Sequence, residues 1–86
     1  MPEICRFYGI VIKMYFDDHN PPHFHAEYAG DEALIDVNTL TIFSGRLPAR
    51  AQALVTEWAT LHRKELLSDW QKAKNFEPLD KIEPLP

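Results

Sequence analysis

One cysteine, Cys5, is all the thiol chemistry this chain contains. An internal disulfide and a thiolate pair for a metal are therefore both excluded, which removes the disulfide-stapled secreted scaffolds and predicts a reducing compartment. Long apolar runs are missing too. The longest, Ile10-Val-Ile-Lys-Met-Tyr-Phe16, is interrupted by Lys13 and falls far short of the ~20 residues that cross a bilayer. Met1-Pro2-Glu3 lacks the basic start of a secretory leader, so the expected location is cytoplasmic, away from membranes. Basic charge is also scarce: 9 Lys and Arg stand against 13 Asp and Glu, a net charge of −4. The cations are scattered except for a loose group at Arg46, Arg50, Arg63 and Lys64. Counterion release from a duplex needs clustered cations, so duplex DNA is disfavoured as a partner while RNA stays open.

What is present is an ordinary globular composition, 45% hydrophobic and 26% charged over 86 residues. A chain of this size forms one domain, 1–86, and buries only about 60% of its unfolded surface, leaving little room for an internal pocket.

Strand signals fill residues 5–43. Between Cys5 and Phe16 the even positions Tyr8, Ile10, Ile12, Met14 and Phe16 form an apolar row at period two, expected to face the core, while Gly9, Lys13 and Tyr15 face outward. Asp17-Asp-His-Asn-Pro-Pro22 is a turn, because consecutive prolines cannot donate ladder hydrogen bonds. Phe24, Ala26 and Tyr28 then alternate with His23, His25 and Glu27, which places the histidines on the wet side of a second strand. Ala33, Ile35 and Val37 mark a third strand, and Leu40–Phe43 a short fourth after a reversal at Asn38-Thr39. Short connections predict an antiparallel meander of three to four strands.

From Pro48 onward the period changes. Ala51, Val55, Trp58, His62, Leu66, Trp70 and Ala73 recur at helical spacing, predicting one long amphipathic helix over 48–75, with Lys72 and Lys74 at its negative end and Asn75 as a left-handed stop. His62, between Trp58 and Leu66 on that stripe, is expected to be a buried, hydrogen-bonded imidazole. Residues 76–86 carry three prolines and predict an extended tail, whose Leu79, Ile82 and Leu85 lie along a surface. The fold class is thus α+β, with the helix packed on one face of the sheet. Arg6, in the same row as Tyr8, is expected to bond the tail or an acidic group such as Asp36.

Three of the four histidines fall in His19-Asn-Pro-Pro-His-Phe-His25, directly after Asp17-Asp18. If Phe16 pairs with Phe24, Asp17 lies opposite His23, Tyr15 opposite His25 and Lys13 opposite Glu27. Opposed Cβ atoms are ~5 Å apart, so Asp17, His23 and His25 converge as a two-histidine, one-carboxylate set suited to zinc or iron, with Asp18 and His19 the other sources of a third ligand. His23, His25 and His19 are equally candidates for acid–base catalysis, as in a hydrolase cleaving RNA. The third alternative is a contact surface for another protein, built from Lys13, Tyr15, His23, His25 and Glu27.

Arg6-Phe-Tyr-Gly-Ile-Val-Ile12, Met14-Tyr-Phe16, Asp18-His-Asn-Pro-Pro-His-Phe-His25, Leu47-Pro48, Glu57-Trp58-Ala59, Leu61-His62, Glu65-Leu-Leu67, Trp70 and Lys81-Ile-Glu-Pro-Leu85 together closely resemble the small bacterial family called domain of unknown function 4160. The resemblance implies a product of a two-gene unit acting with a small partner protein encoded by the neighbouring gene, in a toxin–antitoxin or regulatory pair; chain size alone leaves a homodimer open as well. A transcriptional-regulator role, which some relatives are labelled with, finds no helix-turn-helix pair or basic recognition helix here. Against that family Asn38–Phe43 is less charged, and an exposed Ile42 or Phe43 would mark a partner surface. The leading expectation is a non-enzymatic interaction module, and the alternative is a metal- or histidine-dependent hydrolase.

Overall fold

The alternating residues of the first half pair into a five-stranded antiparallel sheet: β1 (Glu3–Phe7), β2 (Ile10–Lys13), β3 (His23–Tyr28), β4 (Asp31–Asp36) and β5 (Ile42–Gly45), side by side in chain order. This is a computed structural model and it describes residues 3–86; Met1 and Pro2, at the start of the expected domain, lie outside the described residues. The meander is as expected from the short connections, but it has one or two strands more.

The extra strand comes from Tyr8-Gly9. Both residues have positive φ, 50° and 79°, the backbone of a two-residue hairpin turn whose twist matches that of the strands it joins. The run read as one strand therefore folds back on itself, with Phe7 paired to Ile10. Ile10, Ile12 and Met14 are fully buried as the period predicts, whereas Tyr8 at the turn and Phe16 beyond the strand are exposed. An irregularity between Glu3 and Cys5 shifts the register of β1, and Ile4 and Cys5 are both buried. Arg6 then points outward and pairs with Glu3 at 2.9 Å, not with the tail or Asp36.

A second two-residue turn, Ala29-Gly30, again has positive φ at both positions, 49° and 89°, and joins β3 to β4. Gly45, at the end of β5, has φ 76°, and a Cβ there would lie 2.1 Å from the Glu32 carbonyl oxygen. Only glycine lets β5 approach β4 so closely.

The helical stripe is real but broken. α1 spans Ala49–Leu61 and α2 spans Arg63–Lys74, parted at His62, whose φ and ψ of −121° and 23° leave the helical region. Neither proline nor glycine marks the break. His62 is largely covered by Trp58 and bonds Glu65 through Nδ1 at 2.6 Å, so the hydrogen-bonded imidazole is as expected although it sits between two helices. Pro48 is the cap before α1, and the left-handed residue after α2 is Phe76, φ 57°, not Asn75.

Trp58, 0% exposed, is the centre of the core, with the rings of Phe7 and Phe24 at 5.4 and 5.9 Å. Val55, Leu66 and Trp70 complete the helical side. Residues 77–86 form no helix or strand. Ile82 and Leu85 are nevertheless buried, beyond the surface placement expected, and the Ile82 N–H donates to the Ile4 carbonyl at 2.9 Å on the edge of β1. Trp58 Nε1–H donates to the Glu83 carbonyl at 2.8 Å. Buried Asp69 accepts the Asp80 N–H at 2.9 Å on one oxygen and leaves the other unpartnered, and burial pushes its carboxyl above the usual range.

Candidate metal centre

β2 pairs with β3 as Val11 to Glu27, Ile12 to Ala26 and Lys13 to His25. The expected register is off by two residues. An even slip preserves which face each side chain meets, so Phe24 and Ala26 remain in the core and His25 remains on the outer face. Lys13 and Glu27 still form their ion pair, diagonally, at 3.1 Å. What changes is the loop. It runs from Met14 to Pro22, longer than a ladder continuing to Phe16 would allow, and it folds back over the start of β3.

That loop brings Asp18, not Asp17, to the histidines. Asp18 Oδ2 lies 3.2 Å from His23 Nε2 and 2.9 Å from His25 Nε2. Asp18, His23 and His25 can each offer a ligand atom within 4.8 Å of the others. Asp17 is exposed one residue before, its side chain directed elsewhere by the turn, and His19 is likewise exposed and takes no part. His23 is not on the wet side as expected. It is 5% exposed, with Trp70 at 5.2 Å and Phe43 edge-on at 5.3 Å between ring centroids. Trp70 of α2 and Phe43 of β5 thus roof over the first outward side chain of β3. Tyr15 covers His25 in the same way, at 4.6 Å. Of the expected contact patch, Lys13, Tyr15 and Glu27 are half-buried rather than open.

The hydrogen bonds behind the rings decide what the centre can hold. His23 Nδ1 is 2.8 Å from the Pro21 carbonyl oxygen, which can only accept, so Nδ1 carries a hydrogen. His25 has a carboxylate at each ring nitrogen, Glu32 at 3.1 Å from Nδ1 and Asp18 at 2.9 Å from Nε2; in the Nδ1–H tautomer it donates to Glu32 and turns its Nε2 lone pair to the centre. A neutral imidazole has one N–H; His23 gives it to Pro21, and His25 in its Nδ1–H tautomer gives it to Glu32. In that arrangement two lone pairs and a carboxylate oxygen converge on one point, a set of three acceptors that a metal ion would join. Metal-ligating histidines characteristically donate their second ring N–H to a carboxylate or backbone carbonyl, which sets the tautomer and the ring plane. Glu32 and Pro21 supply one of each. Sequence reasoning missed Glu32 because its partner is read from the pairing of β3 with β4, in which Glu27 opposes Glu32 and His25 opposes Leu34; the side chain reaches His25 diagonally.

The donor set of two imidazoles and a carboxylate suits zinc or ferrous iron. Three protein ligands rather than four is the arrangement of sites that keep a coordination position for water or substrate. The approach is from the Asp18 side, since that side chain is 25% exposed against 6% and 12% for the histidines.

Compared with known proteins, residues 9–71 match the family model described as domain of unknown function (DUF4160). The matched span holds all three candidate ligands, Glu32 and the three aromatic covers Tyr15, Phe43 and Trp70. No curated protein and no solved structure matches.

Proposed function

The chain belongs to the DUF4160 family, and from the centre it carries we propose that it binds a divalent transition-metal ion, zinc or iron, through Asp18, His23 and His25, and uses it in hydrolysis. One observation supports this above the rest: the Pro21 carbonyl holds the Nδ1–H of His23, Glu32 offers the same acceptor to Nδ1 of His25, and both Nε2 atoms and Asp18 Oδ2 meet at a common point. A bound ion would supply Lewis acidity and lower the pKa of a coordinated water toward neutrality. The chain's own part is to set the rings with Pro21 and Glu32, to exclude bulk water on the inner side with Trp70, Phe43 and Tyr15, and to leave Asp18 at the open side.

Elemental analysis of protein purified without a histidine tag tests the reading. A stoichiometric transition metal, lost when His23 and His25 are both changed to alanine, is the expected result. Hydrolysis of RNA or an activated ester by the loaded protein, absent in the double variant, then assigns the reaction. Metal-free protein that still cleaves RNA replaces it with acid–base chemistry by the two histidines.

A second reading, a module that acts with a small partner protein as in a toxin–antitoxin pair, is favoured by exposed Phe43 on the less charged segment before α1, at 47% exposure. Recovery of the neighbouring gene product in a pull-down, lost on Phe43→Ala, supports it.

A further inference from the structure

The loop that delivers Asp18 also carries Phe16, and the ring of Phe16 stands against that of Phe76, just past α2, with centroids 6.3 Å apart. Both are exposed, 40% and 71%. Phe43 sets its edge on His23, and Trp70 lies on His23 as well. Scattered apolar side chains on a surface are ordinary, but several around one feature mark a place of contact.

The charges around these rings indicate what would cover them. Asp17 adjoins Phe16 and Glu77 adjoins Phe76, both carboxylates exposed. Lys74, over the Trp70 ring at 6.0 Å, is the cation that the contacts place there. The chain as a whole carries −4. A nucleic acid would bring phosphates against Asp17 and Glu77. A second copy related by a two-fold axis would bring the same carboxylates to face themselves, a like-charge pairing that costs affinity. Cations with apolar neighbours meet both demands.

We propose that Phe16, Phe76 and Phe43 form a docking surface for a basic amphipathic segment of a partner protein, and that a metal ion at Asp18, His23 and His25 tightens the docking by fixing the loop that carries Phe16. The second half rests on the metal-binding reading; the first does not. The segment's apolar face covers the three phenylalanines, while its lysines or arginines meet Asp17 and Glu77. Phe16 is two residues from Asp18, so an ion that holds Asp18 restricts Phe16 to its place against Phe76. Whatever strengthens docking must strengthen metal binding by the same factor.

The test is fluorescence anisotropy with the full chain and a synthetic amphipathic peptide of leucine, lysine and arginine, beside a counterpart in which glutamate replaces the cations. The basic peptide is expected to bind, more weakly as salt rises, and to lose about tenfold or more in affinity with Phe16→Ala/Phe76→Ala, as interfacial aromatic anchors do. These side chains are exposed, and circular dichroism checks that the variant folds. Equal binding of both peptides, no binding of the basic one, or unchanged affinity in the double variant overturns the surface. So does a dimer, or binding of single-stranded RNA, that the same variant abolishes, since the occupant is then a second copy or a nucleic acid. Zinc is expected to tighten the basic peptide in the parent and not in Asp18→Asn. Peptide binding that ignores zinc while zinc itself binds overturns the coupling alone, and failure to bind zinc overturns the metal reading while the metal-free protein still reports on the surface.

Discussion

Glu32→Ala removes the carboxylate that accepts the Nδ1–H of His25 and leaves Asp18, His23 and His25 in place. Outer partners of metal-bound histidines typically contribute ten- to a hundredfold in affinity. Glu32 lies 3.1 Å from Nδ1, but its side chain is 46% exposed, and solvent screens an exposed charge contact. The lower end therefore applies: Kd for zinc should rise about tenfold, equivalent to about 1.4 kcal/mol. Glu32→Gln keeps an acceptor and loses the charge, so it should recover most of that loss if orientation dominates, and little if charge does. The assay is zinc competition against a chromophoric chelator. Metal-free stability in urea should change by less than about 0.5 kcal/mol, because the side chain is half exposed and its backbone bonds remain. Affinity in Glu32→Ala equal to that of the parent would show that the contact does not orient a ligand, and the argument from paired acceptors would fail with it.

Gly45→Ala forces a Cβ to 2.1 Å from the Glu32 carbonyl oxygen at φ 76°. Separation of β5 from β4 follows, with a loss of about 3 kcal/mol in urea unfolding from strain and displaced packing together, and a weaker zinc site because Glu32 moves. Asp69 is buried with one oxygen unpartnered, and burial raises its carboxyl. A carboxyl whose folded pKa lies above the unfolded value favours the fold while protonated, so its contribution is present at acid pH and is lost as pH rises through the raised value. Asp69→Asn, which keeps the acceptor for Asp80, should flatten that falling limb in stability measured against pH.

The period-two rows of Ile10, Ile12 and Met14 and of Phe24 and Ala26 were enough to assign faces, because burial of one sheet face leaves no other parity. Their register was not legible. It depends on how far the Met14–Pro22 loop extends, and matching Phe16 to Phe24 by apolarity put both at the same rung when Phe16 is past the strand. The choice of Asp17 over Asp18 was a direct consequence, since rung positions were used to place a residue that belongs to a loop. Gly9 is the sign of the first hairpin in the sequence, masked because the apolar row runs unbroken through the even positions Tyr8 and Ile10 on either side of it. The break at His62 has no sequence sign of the usual kind, as neither proline nor glycine is near. The cover of His23 by Trp70 is a tertiary contact: helical periodicity places Trp70 in the core without saying over which strand.

Calorimetric titration of zinc into metal-free protein, repeated with Asp18→Asn and with Asp17→Asn, bears most directly on the convergence of two imidazoles and a carboxylate. One ion per chain should bind to the parent and to Asp17→Asn alike, and far more weakly to Asp18→Asn. Binding that is absent from the parent, or lost with Asp17 and kept without Asp18, would contradict the centre described.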